Sequence, residues 1–104
     1  LAGRKDKNRE VKEKTFTVSD PYGLHARSAS LIVQTIQSHK GDVWITVDGQ
    51  SSPVANGKSI MDILILGATR GTKLKFRVEG EDEEKILSEV EALFLNNFNE
   101  DSRG

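Results

Sequence analysis

The chain has 104 residues, 15 Lys and Arg against 16 Asp and Glu, a formal net charge of −1 and no cysteine. That length holds one small domain, and the near-neutral balance argues against general nucleic-acid binding, which needs a basic field. The absence of cysteine excludes disulfides, thiolate metal sites and thiol chemistry, and it suits the reducing cytoplasm that we expect as location. No apolar run reaches the ~18 residues of a membrane span, and no secretory signal is expected.

Residues 1–14 are dense in charge of both signs and read as a flexible, solvated arm. Residues 15–19 form the first strand candidate, with Phe16 and Val18 on one face. A turn follows, Ser19-Asp20-Pro21-Tyr22-Gly23. Residues 26–38 read as a helix with Ala29, Ile32, Val33 and Ile36 at helical spacing, stopped by Ser38-His39-Lys40-Gly41. His25 therefore stands where a turn becomes a helix N-terminus, with Arg27 two residues on. Such a terminus has unpaired backbone N–H groups and a partial positive charge, and it suits a phosphate. The bland reading of His25 is an exposed loop histidine; the sharper one is a phosphoryl acceptor. His39 reads as a residue favoured by the helix's C-terminal dipole.

Residues 42–48 read as a second strand, with Val43, Ile45 and Val47 inward and Trp44 on the opposite, open face. Asp48-Gly49 is a hairpin signal, so a third strand should return from Gln50 to about Ala55. Pro53 makes it an edge strand at best. For 60–66 we expect a short helix with Ser59 as N-cap, Asp62 in its first turn and Gly67 as its stop. Ile60 and Met61 should divide between core and surface, Met61 the more exposed. Residues 72–79 alternate cleanly, with Leu74, Phe76 and Val78 on one face. A last helix begins in Glu81-Asp82-Glu83-Glu84 and carries Ile86, Leu87, Val90, Leu93 and Phe94 as its stripe. Residues 100–104 are a polar tail.

The order β-α-β-β-α-β-α predicts an α+β fold: an open-faced β-sandwich whose four-stranded antiparallel sheet is covered on one face by helices, over residues 15–99. The alternating strands exclude a doubly wound parallel sheet. The expected core is Phe16, Val18, Ala29, Ile32, Val33, Ile36, Val43, Ile45, Val47, Leu74, Phe76, Val78, Ile86, Val90 and Leu93. Two distant histidines argue against a metal site, and no cofactor is expected.

Gly23-Leu24-His25-Ala26-Arg27, Lys58-Ser59-Ile60-Met61 with Leu66-Gly67, and the element order together resemble HPr, the histidine phosphocarrier family of the bacterial phosphoenolpyruvate-dependent phosphotransferase system. The resemblance runs from about Thr15 to Phe98. It implies that His25 accepts a phosphoryl group on Nδ1 from enzyme I and passes it to enzyme IIA, with Arg27 stabilising that group. It implies that Ser59 is a regulatory phosphorylation site for HPr kinase/phosphorylase. Leu24, Arg27, Ser28, Ile60, Met61 and Leu64 would meet partners. The protein would be a monomeric relay substrate for sugar transport rather than an enzyme with its own turnover. The alternative is a regulatory module of the same fold acting through Ser59 and the Ile60/Met61 patch.

Three departures from the family stand out. Ser28 replaces the usual Pro, from which we expect a looser helix start, a hydroxyl near the phosphate and slower transfer. The stretch Gln50–Gly57 is longer than usual, and Asp62 makes the patch more acidic. The closing Ala92-Leu93-Phe94 and Phe98 are similar to the nitrogen-related branch, whereas the Ser59 region is similar to the carbohydrate branch.

Overall fold

The computed structural model describes residues 11–99; segments 1–10 and 100–104, which hold most of the predicted arm and all of the predicted tail, lie outside the described residues. The elements are β1 (Val11–Thr17), α1 (Ala26–Gln37), β2 (Asp42–Val47), β3 (Ala55–Asn56), α2 (Ile60–Ile65), β4 (Lys73–Glu79) and α3 (Glu83–Leu95). The strands form one antiparallel sheet in the order β1-β4-β2-β3. This is the expected open-faced sandwich. Alternate residues of β1, β2 and β4 meet the apolar stripes of the helices, and Phe76, Ile45, Ile32, Ile63 and Ile86 are fully buried between the layers. Among the described residues no helix is long and apolar enough to cross a membrane.

Two strand boundaries differ from expectation. β1 starts at Val11, inside the segment read as a solvated arm, and pairs with β4 from Val11↔Glu79 to Thr17↔Lys73. The reason is that Lys12 and Lys14 alternate with Phe16 on the helix side. Their long stems reach acids of α3, with Lys14 Nζ 2.9 Å from Glu91 Oε1 and Lys12 Nζ 3.2 Å from Glu84 Oε2. The second difference is the third strand. The Asp48-Gly49 turn forms, with Gly49 at φ +89 and the Gln50 N–H donating to Val47 O at 2.9 Å. The chain nevertheless rejoins the sheet only at Ala55, through Ile45↔Ala55 and Trp44↔Asn56. A stretch of Ser51, Ser52 and Pro53 has little to bury and one donor fewer. β3 is a sheet edge, as expected, with Pro53 lying before it.

Every expected core residue packs in the core except that Val47 and Leu93 are only partly buried against it. Ala55, Ile63, Ala68, Leu87, Phe94 and Phe98 join them. Phe94 is the hub of an aromatic cluster, 5.1 Å from Phe16, 5.8 Å from Phe76 and 4.9 Å from Phe98 between centroids. Trp44 lies half-exposed on the open face beside Lys75, Arg77 and Val54. His39 is not merely a helix-end residue. It sits beyond the Ser38 cap and reaches α3, with Nε2 2.9 Å from Glu89 Oε1 and Nδ1 3.6 Å from Asp82 Oδ2.

The start of α1 is tied down rather than loosened, which corrects the expectation for Ser28. Ser28 is completely buried. Its hydroxyl oxygen accepts the His25 N–H at 2.9 Å, and the same hydroxyl donates to the His25 carbonyl at 3.1 Å. The residue thus supplies by hydrogen bonding the rigidity that a first-turn proline supplies by its ring.

Two stability changes follow. Ser28→Ala should cost about 0.5–2 kcal/mol, as loss of a helix cap does. Gly57→Ala should cost about 1–3 kcal/mol by overpacking, since a Cβ there would come within 2.8 Å of Ile36 Cδ1 and 2.9 Å of Val43 Cβ. Urea unfolding measures both, and unchanged midpoints would contradict this account of the packing.

Candidate functional site

The site is built by a loop that crosses a loop. Asp20 closes the turn before the histidine: its Oδ1 accepts the Tyr22 N–H at 2.8 Å and its carbonyl accepts the Gly23 N–H at 2.9 Å. Gly23 then takes φ +72 and passes directly over the α2–β4 connection, where a Cβ would lie 2.5 Å from Ala68 O. Only glycine tolerates both the left-handed backbone and that approach. The Leu24 N–H donates to Ala68 O at 3.0 Å, and the chain enters α1 with His25 as N-cap in extended conformation.

The His25 ring is 38% exposed and sits over the first turn of α1, where it shares a capping box with Ser28. Its Nε2 is 3.7 Å from Asp20 Oδ2. The helix offers its positive N-terminal end to whatever binds the other ring nitrogen. Arg27 is exposed on the same turn. Its Nη1 donates to Phe98 O at 2.9 Å. That carbonyl is held in place by the turn after α3, where Asn97 and Phe98 both have left-handed φ (54 and 58) and the Phe98 N–H donates to Leu93 O at 2.8 Å. The Phe98 ring is buried against Phe94.

The Ser28 hydroxyl, expected near the phosphate and on a partner surface, is instead wholly buried and used by the His25 backbone. Ser59 is the expected N-cap of α2, its Oγ accepting the Asp62 N–H at 3.1 Å. Asp62 is also structural: its Oδ2 accepts the Asn56 N–H at 3.0 Å. The helix that Ser59 starts ends at Leu66-Gly67, beside the Ala68 carbonyl on which Leu24 docks. α2 therefore runs from Ser59 to the connection on which the histidine loop is fastened. Within the Ile60/Met61 patch Met61 is 66% exposed and Ile60 38%: Met61 is the more exposed, as expected, but Ile60 also lies on the surface instead of in the core. Leu24 and Leu64 are partly buried against the core.

Sequence reasoning missed Ile65, which is 65% exposed beside Met61, and Tyr22, 87% exposed before the histidine. It also missed Asp20 and Phe98 as neighbours of His25 and Arg27. The Asp-Pro-Tyr-Gly turn signal places the Asp20 carboxylate on a nearby backbone N–H. Nothing local shows that its second oxygen faces the imidazole. The Phe98 contact spans 71 positions, so no local pattern encodes it.

Comparison with known proteins gives the family. Residues 12–96 match the PTS-HPr family model, described as the PTS HPr component phosphorylation site. A phosphocarrier protein HPr of Xylella fastidiosa (strain Temecula1) is 37% identical over 90 residues, covering 86% of this chain and 98% of that protein. A multiphosphoryl transfer protein of Salmonella typhimurium is 37% identical over 82 residues, 78% of this chain but only 22% of that longer protein. The crystal structure of HPr-C-His from Thermoanaerobacter tengcongensis superposes with a TM-score of 0.75 at 37% identity, covering 84% of this chain and 94% of that one. Family model, relatives and fold agree: the chain belongs to the HPr family, the phosphocarriers of the phosphotransferase system.

Proposed function

We propose that His25 accepts a phosphoryl group from the phosphohistidine of enzyme I and passes it to a histidine of an enzyme IIA domain. The observation that carries this reading is the position of His25: a part-exposed imidazole as N-cap of α1, with Arg27 two residues along the same turn. A neutral imidazole is a nucleophile near neutral pH. Phosphoryl transfer asks the protein mainly for positioning and charge stabilisation. A helix N-terminus and a guanidinium provide both. Arg27 would exchange its Phe98 carbonyl for the stronger, charged phosphoryl acceptor. The protein acts as a monomeric cytoplasmic relay intermediate, not as an enzyme with its own turnover.

Ile60, Met61 and Ile65 offer an exposed apolar face to these partners, with Leu24 and Leu64 supporting it from beneath. Ser59 is the proposed regulatory site, modified by an HPr kinase/phosphorylase. A phosphoryl group there adds roughly −2 charge at the start of α2. That is a favourable place for the helix and an unfavourable one for an acidic partner approaching the patch.

Incubation with phosphoenolpyruvate and enzyme I should give an acid-labile phosphohistidine that His25→Ala abolishes. No phosphate uptake with several cognate enzyme I proteins would sink the proposal. Retention of the physiological activity by His25→Ala, with its loss in Ser59→Ala, would favour a purely regulatory module instead. Arg27→Ala should slow transfer about tenfold to a hundredfold, near the cost of removing one charge-stabilising donor. Ser59→Asp keeps a good cap and should weaken enzyme I binding, most at low ionic strength, because salt screens such repulsion. A salt-independent loss would contradict the electrostatic account.

A further inference from the structure

Asp20 plays no part in the phosphocarrier reading above, yet its carboxylate is both fixed and aimed. Its side chain is only 14% exposed. One oxygen, Oδ1, is held by the Tyr22 N–H at 2.8 Å. The backbone on either side is held as well, by the Gly23 N–H on Asp20 O and by Leu24 on Ala68 O. The remaining oxygen, Oδ2, faces His25 Nε2 at 3.7 Å. An immobilised anion thus stands against one of the two ring nitrogens, and the other is left over the first turn of α1.

A neutral imidazole has one N–H and one lone pair, and its surroundings decide which nitrogen carries which. An ionised carboxylate only accepts. Opposite it, an N–H is attracted and a lone pair repelled. The 3.7 Å separation is longer than a hydrogen bond, but a small rotation of the ring closes it. Contacts of this kind often tighten once the reacting complex forms.

We propose that Asp20 is a positioning residue for phosphoryl transfer: it keeps the imidazole proton on Nε2, leaves the lone pair on Nδ1, and stabilises the positive charge that the ring acquires. This rests on the reading that His25 carries the phosphoryl group. In the transfer step the Nδ1 lone pair forms the new N–P bond. The P–N bond to the donor's imidazole breaks, and its electron pair returns to the donor ring. The proton on Nε2 stays where it is, so the phosphorylated His25 ring is left cationic beside Asp20. The phosphoryl group itself lies across the ring from the carboxylate, on the helix side, so the two anions are kept apart. When the group leaves for an acceptor, the electron pair returns to Nδ1 and the ring is neutral again. Asp20 orients a tautomer and steadies an imidazolium, as a carboxylate does in a Ser-His-Asp triad.

The test is Asp20→Asn, which keeps an oxygen for the Tyr22 N–H but turns an amide N–H₂ toward Nε2. In nitrogen-15 spectra at mildly alkaline pH, the neutral His25 ring of the parent chain should be mainly the Nε2–H tautomer. Asp20→Asn should move the population toward Nδ1–H. Its transfer from enzyme I should fall about tenfold, less than the ~100-fold or more of a fully engaged acid–base partner because the ring is part-exposed. Asp20→Ser keeps a turn-forming acceptor without the charge and should show the same slowing. It guards against a folding defect peculiar to Asn. An unchanged tautomer in a variant that still accepts phosphate overturns the Asp20 proposal alone, as does a shifted tautomer with an unchanged rate. A parent chain that takes no phosphate while its tautomer still responds to Asp20 overturns the carrier reading, and the positioning role with it.

Discussion

The constraint on which the site depends is the contact of Gly23 and Leu24 with the Ala68 carbonyl. Ala68 is itself buried, and the connection it belongs to is tied back to the residue after β1 by two backbone bonds, Val18 N–H to Thr72 O at 2.9 Å and Gly71 N–H to Val18 O at 2.8 Å. The histidine loop is therefore not a free surface loop. It is fastened to the segment joining α2 to β4, and through it to the sheet. The missing side chain at Gly23 is what lets two backbones approach so closely, and the left-handed φ there turns the chain into α1. The placement of the imidazole over a helix N-terminus follows from that crossing.

A second tie reaches the site from the opposite end of the chain. The aromatic cluster of Phe16, Phe76, Phe94 and Phe98 belongs to the core, but its last member also presents a carbonyl to Arg27. Core packing of α3 thereby determines where a surface guanidinium rests. In the proposed role this matters for reversibility. A carrier that bound its phosphoryl group too strongly would be a trap, since stabilising the bound state alone does not speed the next transfer. Where Arg27 Nη1 turns from Phe98 O to the phosphoryl group, that bond is lost. That loss, about 1 kcal/mol for an ordinary hydrogen bond, partly offsets the gain.

Much of the fold was legible in the sequence because its signals are local. The alternation of Leu74, Phe76 and Val78, the stripe of α1, and Ser59 three residues before Asp62 each encode their element within a few positions. What was not legible is non-local. Lys12 and Lys14 read as a charged arm because their partners Glu84 and Glu91 lie on α3, far along the chain. The short β3 misled for the opposite reason. Its turn signal was correct, but Ser51, Ser52 and Pro53 gave the strand nothing to bury. At the site, the placement of His25 and Ser59 as helix N-caps, with Arg27 in the first turn of α1, was readable from residue type and helix position. Ser28 was read as loosening the helix start, because burial of its hydroxyl depends on packing that spacing does not reveal.

The site combines a fixed frame with an accessible ring, and the two belong together. His25 has its backbone pinned at both N–H and C=O by Ser28, and its ring is flanked by an immobilised Asp20. The ring itself is open on one side, and His25 lines none of the clefts found around Glu81–Ser88 or Trp44. A substrate pocket would suit an enzyme that encloses a small molecule. The proposed relay would instead need the ring to be reachable by two large proteins in turn, each with its own histidine. Water and partner must both be able to approach, so discrimination falls to the surrounding surface. Here that surface is apolar at Met61 and Ile65, and α2 links it rigidly to Ser59. In the proposed role, a phosphoryl charge on Ser59 would act at the start of α2, while the Ala68 contact that seats the histidine loop lies beyond the other end of that helix. The proposed regulatory serine and the connection on which the histidine loop docks thus flank the two ends of one six-residue helix.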